Sequence, residues 1–137
     1  MISKVFFTAT LTIFIFVAIR VRLGGIGSSA SEGYVEALGS NRNWGGVCDH
    51  SFDINDANVT CRMLGYSSAK AVVDARYTYG NNPSGNSYVL DDLVCDGSES
   101  SVFDCQHNGE WNENCFSTEM AGVKCETSWM FFPFSYE

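Results

Sequence analysis

The sequence predicts an α+β fold: a small domain of short strands around one main helix, held together by disulfide bonds. Six cysteines, an even number, all lie after residue 47. One segment repeats its apolar residues at the spacing of a helix, and several short apolar runs end at Gly, Asn or Ser, as strands do. Short strands combined with a single helix are typical of α+β domains.

The cysteines indicate both the compartment and the means of stabilisation. They are Cys48, Cys61, Cys95, Cys105, Cys115 and Cys125. No two have the close spacing of zinc sites or redox CxxC motifs. Three disulfides are therefore the simplest interpretation, and they place the domain in an oxidising compartment. Spacing alone leaves all 15 pairings open.

Residues 1–19 are predicted to be a secretory signal peptide. A short basic start precedes the apolar run Val5–Ile19, which is shorter than the roughly 20 residues of a membrane-spanning helix. A retained signal-anchor is the alternative, because Arg20 and Arg22 follow the run. The predicted localisation is secreted, with the extracellular face of the plasma membrane as the alternative.

Residues 20–126 are predicted to form one domain, and residues 127–137 are a short aromatic tail without an assigned role. The formal net charge is −8 and the sequence contains no basic run. Nucleic acids and anionic lipids are poor partners for such a surface. Membrane attachment is expected only through an uncleaved leader or a larger chain.

The strands are read from short apolar runs that end in turns. They are predicted at Tyr34–Leu38, Trp44–Cys48, Ala71–Val73, Tyr88–Leu90 and Gly122–Cys125. Residues 77–87 are rich in Gly, Asn and Ser and are predicted to be a loop. Residues 99–105 are expected to form a helical turn that buries Val102 and Phe103.

The one helix is predicted at Ile54–Gly65. Asn55 is the expected N-cap, and Gly65 is expected to end the helix in the left-handed conformation. Ile54, Ala57, Cys61 and Leu64 form the apolar stripe.

Several segments carry a family resemblance. They are WGGVCD at 44–49, DANVTCRMLGY at 56–66, LDDLVCDGSESSVFDC at 90–105 and AGVKC at 121–125. In these segments the chain resembles the scavenger receptor cysteine-rich domain, in particular its six-cysteine group A. The resemblance implies a curved antiparallel β-sheet cradling the helix, and the bridges Cys48–Cys115, Cys61–Cys125 and Cys95–Cys105.

The resemblance also implies two candidate Ca²⁺ sites. One comprises Asp91, Asp92 and Asn114, and the other comprises Asp49 and Glu119. In the second site His50 replaces the usual second Asp, which weakens the site because Ca²⁺ prefers oxygen ligands. The residues alone leave open that these side chains only cap turns and face water.

Two further features have alternative interpretations. Asn58-Val59-Thr60 is the only N-glycosylation sequon, and it is either used or unused. Trp44, Phe52 and Trp111 either line a ligand face or pack into the core.

The expected function is binding. The resemblance implies an extracellular module of scavenger-receptor type, acting in innate immunity, that recognises polyanionic or microbial ligands or a partner protein with possible help from Ca²⁺. The alternative is a structural or regulatory appendage of a larger extracellular protein, such as a protease or amine oxidase. No catalytic motif is found, and we expect neither enzymatic activity nor an organic cofactor.

Overall fold

A computed structural model describes residues 19–83 and 87–127. The predicted leader, apart from Ile19, and the predicted tail, apart from Thr127, lie outside the described residues. The elements are β1 (Val21–Ser29), β2 (Glu32–Leu38), β3 (Trp44–Val47), α1 (Ile54–Met63), β4 (Ala69–Asp74), α2 (Ala75–Thr78), β5 (Tyr88–Leu90), a 3₁₀ turn (Val102–Asp104) and β6 (Ala121–Cys125). Among the described helices, none combines the length and apolar character needed to cross a bilayer.

The six strands form one sheet with the order β4-β6-β2-β3-β5, and β1 also pairs with β2. All pairs are antiparallel except β3 and β5, which run parallel. The predicted antiparallel sheet is therefore wrong at this pair, and the sheet is mixed. A parallel pair requires a long crossover, which α1, β4 and α2 provide between these two strands.

Strand β1 was not predicted, because glycines interrupt its pattern. Its pairing with β2 is regular from Val21 to Gly24, loses register, and resumes at Ser29. Gly25 and Gly27 have positive φ angles of 109° and 74°. Glycine adopts these angles without steric cost, and the irregular segment therefore hides the alternation that marks a strand.

Helix α1 begins at Ile54, and its N-cap is not the residue that the sequence predicts. Asp53, not Asn55, is the N-cap: its carboxylate accepts the N–H groups of Asn55 and Asp56. Asp56 accepts the Asp53 N–H at 2.7 Å and completes a capping box. Gly65 has a φ of 96°, as predicted for the residue that ends the helix.

Three of the four residues of the predicted apolar stripe pack into the core: Ala57 and Cys61 are buried and Leu64 is partly buried against them. Ile54 is 45% exposed, and Val59 and Thr60 are buried in addition. The Cys61–Cys125 bridge joins α1 to β6. The predicted turn is the 3₁₀ segment, in which Val102 is buried and Phe103 only partly so.

All six cysteines are bridged in the structure. The pairs are Cys48–Cys115, Cys61–Cys125 and Cys95–Cys105, the same pairs that the family resemblance implies. The first bridge closes a long loop and holds the segment after β3 beside the segment before β6. These two segments carry most of the candidate site.

Candidate functional site: an acidic cluster around His50

Asp91 lies at the centre of the candidate site and is almost completely buried, with 1% exposure. One carboxylate oxygen accepts the N–H of Asp92 at 2.7 Å and contacts His50 Nδ1 at 3.1 Å. The other accepts the N–H of Asn114 at 3.3 Å. Three partners therefore hold the buried carboxylate, as a buried charge requires. Asp91 organises the loops rather than facing solvent.

Asp92 follows Asp91 in a left-handed conformation with a φ of 51°. Aspartate tolerates this conformation better than most residues. Its side chain is partly exposed, and its Oδ2 accepts the Asn108 side-chain amide at 2.8 Å. Asn108 was not among the residues predicted from the sequence, and its backbone N–H also donates to the Asp91 carbonyl. No motif identifies this asparagine, because it reaches the site only through the fold.

Asn114 is exposed, and its position is fixed through the backbone. Its N–H bonds to Asp91, and the next residue, Cys115, is bridged to Cys48. The structure thus brings Asn114 to Asp91, as the first predicted set requires. Its side-chain oxygen remains available as a ligand.

The second predicted pair is also brought together. The backbone N–H of Asp49 donates to the Glu119 carbonyl at 2.8 Å, and the Phe116 N–H donates to the Glu119 carboxylate at 2.8 Å. Packing around the carboxyl group and the negative charge of Glu119 raise the pKa of Asp49. The Phe116 N–H and His50 lower the pKa of Glu119, against a smaller opposing effect of burial.

His50 connects the two predicted sets into one cluster. Its Nδ1 lies 3.1 Å from Asp91, and its Nε2 lies 3.4 Å from Glu119. Partial burial opposes protonation, but hydrogen bonds and the negative charges of Glu119 and Asp91 outweigh it and raise the pKa of His50. From the sequence, His50 was expected only to weaken the second Ca²⁺ site. In the structure it is the link between two carboxylates.

A hard cation such as Ca²⁺ requires oxygen ligands. His50 and Asp91 also lie near the sulfurs of Cys48 and Cys115, but those sulfurs are bridged and offer no thiolate. Oxygen ligands remain on four side chains at the edge of the cluster: Asp49, Asp92, Asn114 and Glu119. Burial and, after it, the negative charge of Glu119 raise the pKa of Asp49, and a bound cation would offset the second effect. The donors that converge within 4.8 Å here are those of Cys48, His50, Asp91 and Cys115, and the four oxygen-bearing side chains do not belong to that group. Ca²⁺ binding at Asp49, Asp92, Asn114 and Glu119 therefore stays a prediction.

The remaining candidates have internal contacts. Asn58 Oδ1 accepts the Ala69 N–H at 2.8 Å, and buried Thr60 donates its hydroxyl hydrogen to the Asp56 carbonyl. These contacts favour an unused sequon, and glycosylation at Asn58 stays a prediction.

The three aromatic residues do not form one ligand face. Phe52 is in the core, and Trp44 lies against the Arg22 guanidinium, 4.1 Å from the ring centre. Trp111 packs on Gly45, where a Cβ would lie 2.7 Å from its ring. All three therefore contribute to packing within the domain.

The known proteins that are similar to this chain share one type of domain with it. The family model of the scavenger receptor cysteine-rich domain matches residues 26–126. The macrophage receptor MARCO of Mus musculus is 44% identical over 107 residues, which are 77% of this chain and 18% of that protein. Lysyl oxidase homolog 2 of Homo sapiens is 44% identical over 108 residues, or 78% of this chain and 13% of that protein.

Two solved structures share the fold. The dimeric form of the cysteine-rich domain of mouse MARCO has a TM-score of 0.61 at 39% identity, over 74% of this chain and 92% of that one. The third such domain of murine neurotrypsin has a TM-score of 0.64 at 33% identity, over 77% and 94%. The chain thus spans nearly all of these single domains but less than a fifth of the two curated relatives.

Proposed function

The chain belongs to the scavenger receptor cysteine-rich family, and from this premise we propose that it is an extracellular ligand-binding module. Its ligands are polyanionic molecules or microbial surfaces, and Ca²⁺ bound at the acidic cluster bridges the ligand to the protein. Three disulfides support an extracellular location. We propose binding without catalysis, because the cysteines of the described residues offer no free thiol as a nucleophile.

One observation carries the proposal. His50, Asp91 and Glu119 form a continuous cluster, with Asp49 beside it, although they come from three separate segments. A polyanion approaching these carboxylates meets repulsion in a chain whose net charge is −8. A divalent cation reverses the local charge and can accept ligand oxygens in its remaining coordination positions.

The residues divide between ligation and support. The side-chain oxygens of Asp92 and Asn114 would hold one cation, and those of Asp49 and Glu119 would hold a second, more weakly. The Asp91 carboxylate accepts the backbone N–H groups of Asp92 and Asn114 and so positions both residues. His50 contacts both Asp91 and Glu119 and joins them. When bound, Ca²⁺ would supply positive charge and open coordination positions for an anionic ligand. Few protein ligands imply weak binding, with a Kd of about 10⁻⁴–10⁻³ M.

Calorimetry of Ca²⁺ binding to the secreted domain tests the proposal, together with binding to immobilised polyanions with and without chelator. We expect a Ca²⁺ isotherm and a fraction of polyanion binding that the chelator removes. Asp92→Asn should weaken both, whereas Asp104→Asn, the same charge change at an exposed residue outside the cluster, should weaken neither. Unchanged Ca²⁺ binding in Asp92→Asn would contradict the site.

A second candidate function has specific support. Human lysyl oxidase homolog 2 and mouse MARCO match this chain at the same 44% identity, although one is named as an oxidase homolog and the other as a receptor. In this second candidate function, the domain is a structural or regulatory appendage of a larger extracellular protein. The full-length transcript distinguishes the two: an oxidase or protease domain in the same reading frame would support the appendage.

A further inference from the structure

Asn108 and Gly109 form the only Asn-Gly pair of the sequence, and the structure places the pair in an open bend. Asn108 is exposed, and Gly109 has a positive φ of 99°. A Cβ atom at Gly109 would meet no atom within 4 Å, so that open space surrounds this part of the backbone. Because glycine has no side chain of its own, its backbone nitrogen stays accessible to the side chain of the preceding residue.

His107 lies directly against the backbone nitrogen of Gly109. Its Nδ1 accepts the Gly109 N–H at 2.9 Å, within the range in which a general base can remove a proton. Because the accepting nitrogen carries no hydrogen, the neutral ring holds its proton on Nε2. The structure thus places an imidazole base on the nitrogen atom that lies next to the Asn108 side chain.

Asn108 is held on its other side by the acidic cluster. Its side-chain NH2 group donates to Asp92 Oδ2 at 2.8 Å, and its backbone N–H donates to the Asp91 carbonyl at 3.3 Å. Its own carbonyl accepts the side-chain amide of Asn112 at 2.9 Å. These three bonds hold the residue in place, although its side chain remains exposed to water.

We propose that Asn108 deamidates in the folded protein with His107 as the general base, and that the product alters the acidic cluster. The Gly109 nitrogen gives its proton to His107 and attacks the side-chain carbonyl carbon of Asn108, which forms a succinimide ring. The bond from this carbon to the amide nitrogen breaks, and the nitrogen takes up the proton and leaves as ammonia. Water then opens the ring at either carbonyl and gives aspartate or isoaspartate. The overall reaction consumes one water molecule, releases one ammonia molecule and needs no other reactant.

The product reverses the contact with Asp92. A carboxylate cannot donate the hydrogen bond that the amide donates, and it places a negative charge beside the one that Asp92 already carries. Isoaspartate also inserts a methylene group into the main chain, between the N–H group that contacts Asp91 and the N–H group that contacts His107. The modification therefore loosens the loop that carries Asp92. It goes beyond the proposed binding function, because it needs neither Ca²⁺ nor a ligand.

The test is incubation of the secreted, folded domain at neutral pH, followed by peptide mapping with mass spectrometry. We expect Asn108 to gain the mass difference between NH2 and OH and to yield both aspartate and isoaspartate. Asn112, which is exposed in the same loop but precedes Glu113, is the internal control and should remain an amide. His107→Gln keeps a hydrogen-bond acceptor but removes the base. It should slow the conversion by about tenfold or more, a modest part of what a positioned general base contributes in enzymes.

The same proteins in urea, with their disulfides reduced, isolate the contribution of the fold. The unfolded chain does not hold His107 against Gly109, so that His107→Gln and the wild type should convert at equal rates there. The proposal is overturned if the Asn108 amide survives as long as that of Asn112, or if folded His107→Gln converts at the wild-type rate.

Asn108→Asp, which mimics one product, tests the effect on the cluster. It should lower the unfolding temperature, because the bond to Asp92 becomes a repulsion. Asn41→Asp is the matched control: it makes the same change in an exposed turn, where the side chain accepts a hydrogen bond rather than donating one. Equal unfolding temperatures for Asn108→Asp and Asn41→Asp would overturn the effect on the cluster.

Discussion

Replacing the two adjacent aspartates of the acidic cluster should produce opposite effects. Asp91 is buried and has three partners, whereas Asp92 is partly exposed and its carboxylate accepts one hydrogen bond. Removing a buried, fully paired charge typically costs about 3–5 kcal/mol, because its partners remain unsatisfied. We therefore expect Asp91→Ala to destabilise the domain by about that amount.

Asp92→Asn should cost less than about 1 kcal/mol, because asparagine also tolerates the left-handed conformation and can still accept a bond from Asn108. It removes one negative charge and a carboxylate ligand. Ca²⁺ affinity should then fall by about tenfold or more, since the charge of the ligand set tunes Ca²⁺ binding. Asp92→Ala would add a conformational cost at this positive φ.

Urea unfolding and calorimetry measure the two effects separately. With an m-value of about 1–3 kcal/mol/M, Asp91→Ala should lower the urea midpoint by roughly 1–3 M or more, whereas Asp92→Asn leaves it nearly unchanged. Calorimetry should show that Asp92→Asn, although it remains stable, binds Ca²⁺ more weakly than the wild type. A stable Asp91→Ala protein, or an Asp92→Asn protein with the wild-type isotherm, would refute the division between support and ligation.

Four shorter predictions follow from other residues. His50→Asp should raise Ca²⁺ affinity by about tenfold or more in calorimetry, because a carboxylate ligand replaces an imidazole; equal or weaker affinity contradicts this. Burial raises the pKa of Asp56 to about 6, although two backbone N–H groups that donate to its carboxylate oppose the shift. The pKa of Asp in an unfolded chain is about 3.9. The folded state therefore holds the proton more tightly, and this contribution to stability is lost as the pH rises from about 4 to 6. Urea unfolding over this range should show a decline in the wild type that is smaller in Asp56→Asn, and equal slopes would disprove the assignment. Peptide mapping under non-reducing conditions should find Cys95 joined to Cys105 and to no other cysteine. N-terminal sequencing of protein secreted from eukaryotic cells should find residues 1 to about 19 removed, whereas a cell-bound product that keeps Met1 would indicate a signal-anchor.

Local patterns predicted the elements well wherever the pattern was uninterrupted. Helix α1 and strands β2, β3 and β5 lie within a few residues of their predicted positions. Strand β1 was not predicted because its glycines interrupt the alternation of apolar and polar residues. The parallel direction of the β3–β5 pair was not predicted because it depends on the crossover between distant segments. Asp53 rather than the predicted Asn55 is the N-cap, because Asp56, three residues after Asp53, completes a capping box with it.

The candidate site was predictable in its members but not in its arrangement. The family motif supplied Asp91, Asp92 and Asn114, but burial of Asp91 depends on how three loops meet, which no local pattern specifies. Asn108 carries no motif, and His50 was recognised only as a substitution. Its role depends on two distances, 3.1 Å to Asp91 and 3.4 Å to Glu119, that exist only in the folded chain.

The disulfide framework explains why such a cluster can persist in a small domain. Repelling carboxylates destabilise the loops that carry them, and the Cys48–Cys115 bridge holds the Asp49 and Asn114 segments together regardless of that repulsion.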